Sequence, residues 1–309
     1  MDILKKLTEE FPSIREDRAQ NIINLIDEGN TIPFIARYRK EMTGSCDDQV
    51  LREFNDRLLY LRNLEKRKEE VAKSITDQGK MTEEIQKALD AATTLTEVED
   101  IYRPYKQKKK TRASVAIERG LQPLADFILA QDKNADVRAE AEKYVDEEKG
   151  VATADEAIAG AKDIIAEIVS DDANVRKKLR NLFMKNGEIQ TKLVNADKEG
   201  AKTYEMYADY SEPVAEIKSH RVLAVNRGEK EDFLKVKVVF NDEIAKRIAG
   251  AGYLKDGGYS TQLVQEAVED GYDRLIYPSI EREIRAALTE SASEQAIKMF
   301  EVNLKPLLM

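Results

Sequence analysis

Leu51, Phe54, Leu58 and Leu61 follow a 3-4-3 spacing that resumes at Ala72 and Ile75. That period belongs to a helix and not to a strand, whose side chains change face at every residue. Asp47 or Asp48 opens the segment and Gly79 ends it, which predicts one helix of about 45 Å. Glu65 and Lys68 interrupt the stripe, so its middle is expected to be wetter than its ends. A chain organised around such a rod is expected to be mainly α.

The same period recurs along the first two-thirds of the chain. Ser13-x-x-Glu16 reads as a capping box for a run to Gly29 that buries Ile14, Ile22, Leu25 and Ile26. Thr31-Ile32-Pro33 then opens a short helix, with Pro33 near its first position. Phe34, Ile35 and Tyr38 are expected to face inward there, Arg37, Arg39 and Lys40 elsewhere, and Gly44 to close the element. Thr94-x-x-Glu97 predicts a helix over 95–102, which Pro104 ends. Further helices are predicted at 113–119, 122–130, from Thr153 to about Val169, and at 174–185. Past Gly187 the period drops to two, at Ile189-Thr191-Leu193, Tyr204-Met206-Ala208-Tyr210 and Leu234-Val236-Val238-Phe240. A small antiparallel β element is therefore expected at 188–240, with a helix near 219–227 inserted. Helices at 260–270 and 278–305 follow, the second starting at Pro278 and burying Ile280, Ile284, Leu288 and Met299. The expected architecture is mainly α and multi-helical, with a helix-turn-helix-like unit, long helices and a small inserted β element. Its divisions are a helical region at 1–186, an α+β element at 187–245 and C-terminal helices at 246–309.

Single residues exclude much chemistry. Cys46 is the one cysteine and His220 the one histidine. No intrachain disulfide and no cysteine-based zinc site can form, and catalytic zinc lacks its usual histidines. Magnesium on carboxylates stays open. A Cys46–His220 dyad competes with a small apolar cysteine beside a structural histidine. No Gly-x-x-x-x-Gly-Lys loop occurs, and Gly250 and Gly252 supply only the first two glycines of Gly-x-Gly-x-x-Gly. No apolar run approaches the length of a membrane span, and Met1–Phe11 lacks a signal-peptide core. A cytoplasmic, non-enzymatic chain is expected, with no cofactor, no structural metal and no small-molecule substrate.

Charge is unevenly placed. Residues 131–173 carry net −8, nearly the whole chain's −9, and repel polyanions at long range. Residues 102–112 instead hold six cations and no carboxylate, with Tyr102 and Tyr105 among them. Arg103, Lys106, Lys108, Lys109, Lys110 and Arg112 are candidates to neutralise phosphates, and Tyr105 to stack on a base. The alternative is a solvated loop whose tyrosines plug a core. Arg37, Arg39 and Lys40 suit the polar face of a helix-turn-helix, or salt bridges to nearby carboxylates. Ser219-His220-Arg221 and Arg227 suit a helix start facing an anion, or a cap with a salt-bridge cluster. Residues 174–192 are a further basic stretch, at net +5.

Six segments, in order, carry a resemblance. They are Thr31-Ile-Pro-Phe-Ile-Ala-Arg-Tyr-Arg-Lys-Glu41, Thr43-Gly-Ser-Cys-Asp-Asp48, Tyr102-Arg-Pro-Tyr-Lys-Gln-Lys-Lys-Lys-Thr-Arg-Ala113, Gly120-Leu-Gln-Pro-Leu-Ala125, Tyr210-Ser-Glu-Pro213 and Ser219-His-Arg-Val-Leu-Ala-Val-Asn-Arg-Gly-Glu229. Over nearly its whole length the chain resembles the bacterial Tex family of transcription accessory proteins. The resemblance implies a longer protein, in which a helical N-terminal region precedes a ribonuclease-H-like domain, helix-hairpin-helix elements and a C-terminal oligonucleotide-binding barrel. This chain looks like that N-terminal region alone, stopping near the start of the ribonuclease-H-like domain. Where the family often has proline, Gln107 stands, and the barrel on which the family mainly relies for nucleic acid is absent. Two readings follow. One is a sequence-independent module for RNA or DNA in transcription, contacting phosphates through the twelve residues Arg37, Arg39, Lys40, Arg103, Tyr105, Lys106, Lys108, Lys109, Lys110, Arg112, Arg221 and Arg227. The other is a scaffold that braces further domains or docks on a protein of the transcription machinery.

Overall fold

In the first part of the chain, helices form where an apolar stripe needs burial. The structure, a computed structural model, describes residues 2–106, 110–256 and 258–308. The chain divides into two units, 1–105 and 106–309. The first unit runs α1 (Ile3–Glu10), α2 (Glu16–Asp27), α3 (Ile32–Tyr38), α4 (Lys40–Thr43), α5 (Asp48–Asp77), α6 (Glu83–Ala91) and α7 (Leu95–Tyr102), then a 3-10 turn at Arg103–Tyr105. Asp47 caps α5, accepting from the Val50 amide at 2.9 Å. The N-terminal half of α5 packs Leu51, Phe54, Leu58 and Leu61 against Leu7, Ile22, Leu25 and Ile35. Its C-terminal half packs Leu64, Val71 and Ile75 against Leu89 and Val98.

The middle of α5 is dry, which corrects the expectation of a wetter centre. Leu64 and Val71 complete the stripe, and Lys68 lies within it at 7% exposure. Its methylene stem covers core surface, while the ammonium donates to the Asp90 carbonyl at 3.2 Å and pairs with Glu65. Asp90 lies in the last turn of α6, where the helix dipole favours a cation. Ser13 does not cap α2. The Ile14 amide closes a turn onto the Phe11 carbonyl, so α2 starts only at Glu16. Gly44 closes α4 at φ 72°, in the left-handed region that a Cβ disfavours. Gly44→Ala is expected to cost about 1 kcal/mol, read from the midpoint of chemical denaturation. An unshifted midpoint would show that the turn relaxes freely.

The second unit runs α8 (Arg112–Glu118), α9 (Gln122–Ala130), α10 (Val137–Glu142), α11 (Ala154–Asp171), α12 (Ala173–Asn186), β1 (Glu188–Leu193), β2 (Asp209–Pro213), α13 (Ser219–Lys230), β3 (Leu234–Val239), α14 (Asp242–Gly250), α15 (Tyr259–Gly271) and α16 (Tyr277–Leu308). The unit is centred on α11, which packs on α8, α9 and α15. Among the described residues the sheet is antiparallel, in the order β2-β1-β3. Ile189, Val236 and Val238 join the same apolar cluster as Ile164, Val169 and Phe183. The outer edge of β3 is closed by side chains. Glu229 and Glu281 accept from the Val236 and Val238 amides, and the Tyr277 hydroxyl donates to the Val238 carbonyl. No row of free backbone groups is left there to template another strand.

Two expectations are corrected here. The alternation at 204–210 is no single strand. Residues Ala201–Tyr207 form a 3-10 helix that buries Ala201, Tyr204 and Tyr207 at its three-residue period, and β2 begins only at Asp209. Pro278 does not start a helix either. α15 continues through a π turn at Tyr272–Ile276 straight into α16. Proline has no amide to donate, and its ring crowds the carbonyl four residues back. The wider turn just before Pro278 gives that ring room. Ile280 and Ile284 are buried and Leu288 packs on the same core, but Met299 is 66% exposed.

Candidate nucleic-acid interface

In α3 only Ile35 is buried. Phe34 and Tyr38, read from sequence as inward, are exposed. With Arg37 they sit at i, i+3 and i+4 and share one face of the helix. The two rings lie 5.2 Å apart at 44°. The Arg39 guanidinium carbon stands 5.4 Å from the centre of the Phe34 ring. Arg37 and Lys40 are exposed and Arg39 half-buried. None of the three forms an ion pair among the described residues, although Arg39 makes a long 3.5 Å contact to the Tyr38 carbonyl.

The basic run at 102–112 straddles the division of the chain. Tyr102 and Tyr105 pack half-buried on the core of α5 and α7. The Tyr102 hydroxyl lies 3.0 Å from the Ser74 hydroxyl, and Gln78 Nε2 donates to the Tyr105 carbonyl at 3.0 Å. Arg103 is half-buried and engaged by its neighbours. Lys106 and Lys110 are exposed and form no ion pair among the described residues. Lys108 and Lys109 lie outside the described residues. Arg112 is exposed at the first position of α8, where Thr111 caps the helix. Its charge acts on Asp163, whose carboxyl burial nevertheless lifts above its ordinary range.

Arg37–Lys40 and Arg103–Tyr105 belong to opposite ends of α5. Ile35 packs on the helix's first half, whereas Tyr105 is tied to Gln78 beyond its last turn. That places them about 30 Å apart along the rod. Along α5 between those ends, three arginines are held in ion pairs: Arg57–Glu10, Arg62–Asp27 at 2.6 Å and Arg67–Glu99 at 2.6 Å. The Arg57 and Arg62 hydrogen bonds hold the Glu10 and Asp27 carboxyls below their ordinary range.

In the second unit Arg221 is committed. It donates to Glu212 at 2.6 Å and touches the Tyr210 hydroxyl at 3.4 Å. Arg227 is exposed, one and a half turns further along α13, with no ion pair among the described residues. The outer face of the sheet carries cations outside the twelve candidates. Lys192 stands directly opposite Lys235, and Lys237 follows on the same face. Alternation with buried Leu234, Val236 and Val238 was the available signal.

Cys46 is half-buried, and its thiol donates to the Thr43 carbonyl. Burial pushes its pKa up, against the pull of Arg18, the reverse of what an activated nucleophile needs. His220 is exposed in the first turn of α13. Among the described residues no group of three acidic, histidine or cysteine side chains is arranged to hold a metal. No described helix is long and apolar enough to cross a membrane.

These elements define a mainly α protein with a small antiparallel sheet and dispersed surface cations. Residues 132–300 match the family described as Tex central region-like, and residues 1–76 match the Tex-like protein N-terminal domain. The chain belongs to the Tex family. It is 45% identical over 309 residues to the "Uncharacterized protein YdcI" of Bacillus subtilis, covering 99% of this chain and 43% of that protein. It is 38% identical to the "Transcriptional accessory protein Tex" of Neisseria gonorrhoeae, covering 100% of this chain and 41% of that one. The human "S1 RNA-binding domain-containing protein 1" is 30% identical, with 94% of this chain and 30% of that protein aligned. The chain thus spans less than half the length of these relatives.

Proposed function

We propose that this chain is a nucleic-acid-binding module of a transcription accessory factor, contacting phosphate backbones without reading sequence and without catalysis. One observation carries the reading. Arg37, Lys40, Lys106, Lys110 and Arg227 are exposed and hold no carboxylate among the described residues, whereas Arg57, Arg62, Arg67, Arg221, Arg274 and Arg285 are each paired with one. Unpaired cations are the ones a polyanion neutralises by releasing counterions. The helix-turn-helix reading of α2 and α3 adds Arg39 to the phosphate-facing set, and the basic run in the sequence adds Lys108, Lys109 and Arg112. Relatives named for transcription accessory and S1 RNA-binding roles support the same direction.

Neutralising about three to five phosphates gives a slope of log affinity against log salt of about −3 to −4.5. Fluorescence anisotropy with labelled single-stranded RNA and duplex DNA at two salt concentrations measures it. Lys108/Lys109/Lys110→Ala is expected to flatten the slope by about 2 to 3. A folded wild-type chain that binds neither probe at low salt would sink the reading. The scaffold reading would then stand. Its support is that Arg57, Arg62 and Arg67, along the long helix of the first unit, are already held by carboxylates.

A further inference from the structure

The exposed face of α3 is unusual for a seven-residue helix on a small core. It turns Phe34 and Tyr38 to solvent, at 36% and 57% exposure, and buries only Ile35. Aromatic area left in water adds nothing to folding, and single exposed apolar residues need no explanation. Here two rings are adjacent, and cations surround them. Arg37 lies on the same face, Arg39 reaches over the Phe34 ring at 5.4 Å, and Lys40 begins the next turn. None of these cations is held by a carboxylate among the described residues.

We infer that Phe34 and Tyr38 form a stacking platform for unpaired bases, flanked by Arg37, Arg39 and Lys40 as phosphate contacts, so that this face binds single-stranded nucleic acid. The inference rests on the nucleic-acid reading above and assigns part of it to two residues outside the basic set. A single strand offers flat π faces and a negative charge in every nucleotide, and the platform offers the complement of both within seven residues. Base stacking on protein aromatics tolerates any sequence, because every base has a π face. A duplex keeps its bases stacked on each other and presents only phosphates here. An acidic protein segment would match the cations but has no reason to supply planar faces beside each charge.

The test uses the full chain, with a short mixed-sequence single-stranded RNA and a duplex DNA of equal length as anisotropy probes. Phe34→Leu/Tyr38→Leu keeps the face apolar, and circular dichroism confirms that the helices are retained. The double variant is expected to lose about tenfold or more in single-strand affinity. Its duplex affinity should stay within about twofold of wild type, with an unchanged salt slope, since no charge is removed. Arg37→Gln/Arg39→Gln/Lys40→Gln is expected to weaken both probes and flatten both slopes by about 1 to 2. A Leu variant that binds single strands as tightly as wild type would overturn the platform and leave the nucleic-acid reading standing. A wild-type chain that binds neither probe would overturn both and leave the face to a protein partner.

Discussion

Glu283→Ala is expected to lower the stability of residues 106–309 by about 1.5–3 kcal/mol, through loss of a carboxylate hydrogen-bonded to two arginines. The first of them is Arg176 on α12, fully buried. Its guanidinium pairs with Glu283 and donates to the Ser279 hydroxyl at 3.0 Å. One turn along α12, Arg180 donates to the same carboxylate at 2.8 and 2.9 Å. The Ser279 hydroxyl donates to Glu283 Oε1 at 3.1 Å. Removing the carboxylate takes an acceptor from a guanidinium set in a core that includes Val175 and Leu179. Glu283→Gln keeps an acceptor without the charge and should fall between wild type and the alanine variant. Chemical denaturation followed by circular dichroism gives the magnitude, and hydrogen exchange locates it. A loss below about 1 kcal/mol would mean that the other contacts of Arg176 and Arg180 hold them without Glu283 and that the cluster contributes no more than a surface pair.

The same group sets a pH dependence. Burial pushes the Glu283 carboxyl up, but the Arg176 charge and the Arg180 hydrogen bond outweigh it and leave the pKa below the ordinary 4.5. A carboxylate with a depressed folded pKa contributes its full stability above its unfolded value and loses it as the pH falls through the folded one. Wild type therefore loses stability below about pH 4.5 more steeply than Glu283→Gln, which has no proton to take up there.

The long helix, its start at Asp47 or Asp48, the Gly44 stop and the strands at 188–193 and 234–239 were all legible in the sequence. Each is set by local periodicity or by a residue with one conformational use. The dry middle of α5 was not, because Lys68 is recruited into the stripe by the carbonyl end of α6, a partner distant in sequence. The short helices α1, α6, α10 and α14 went unread because each is amphipathic over only two or three turns, too few for the period to stand out. Pro278 read as a helix start because nothing local announces a π turn. At the candidate site, Arg37, Arg39 and Lys40 could be found by charge alone. Phe34 and Tyr38 read as inward because aromatic residues usually are. Their i, i+4 spacing, with Arg37 between them on that face, was the available signal against it. The basic stretch at 174–192 has a partly structural explanation that charge counting cannot supply, since Arg176 and Arg180 serve Glu283 inside the second unit.

Gly271→Val is the second large expected effect, at about 3 kcal/mol. Gly271 ends α15 where that helix packs on α11. A Cβ there would stand 2.9 Å from the Ala166 carbonyl oxygen and 3.3 Å from its Cα. Both atoms are backbone of the helix at the centre of the unit, so neither can rotate away, and relief requires α11 and α15 to move apart. Valine adds two further carbons on a stiff χ1 and cannot swing them clear. Gly160, on the same α11, is the control. A Cβ there would meet Leu121 Cδ1 at 2.4 Å, the far end of a side chain that can change rotamer, and Ala116 Cβ only at 3.3 Å. Replacing glycine inside a helix also returns about 1 kcal/mol of propensity. Gly160→Ala is therefore expected to lie within about 1 kcal/mol of wild type. Denaturation midpoints of the two variants separate the cases. Equal losses would mean that the α11–α15 crossing has slack and that its closeness is not what excludes a side chain at Gly271. A large loss at Gly271 alone would identify backbone approach between those helices as the constraint that fixes glycine there.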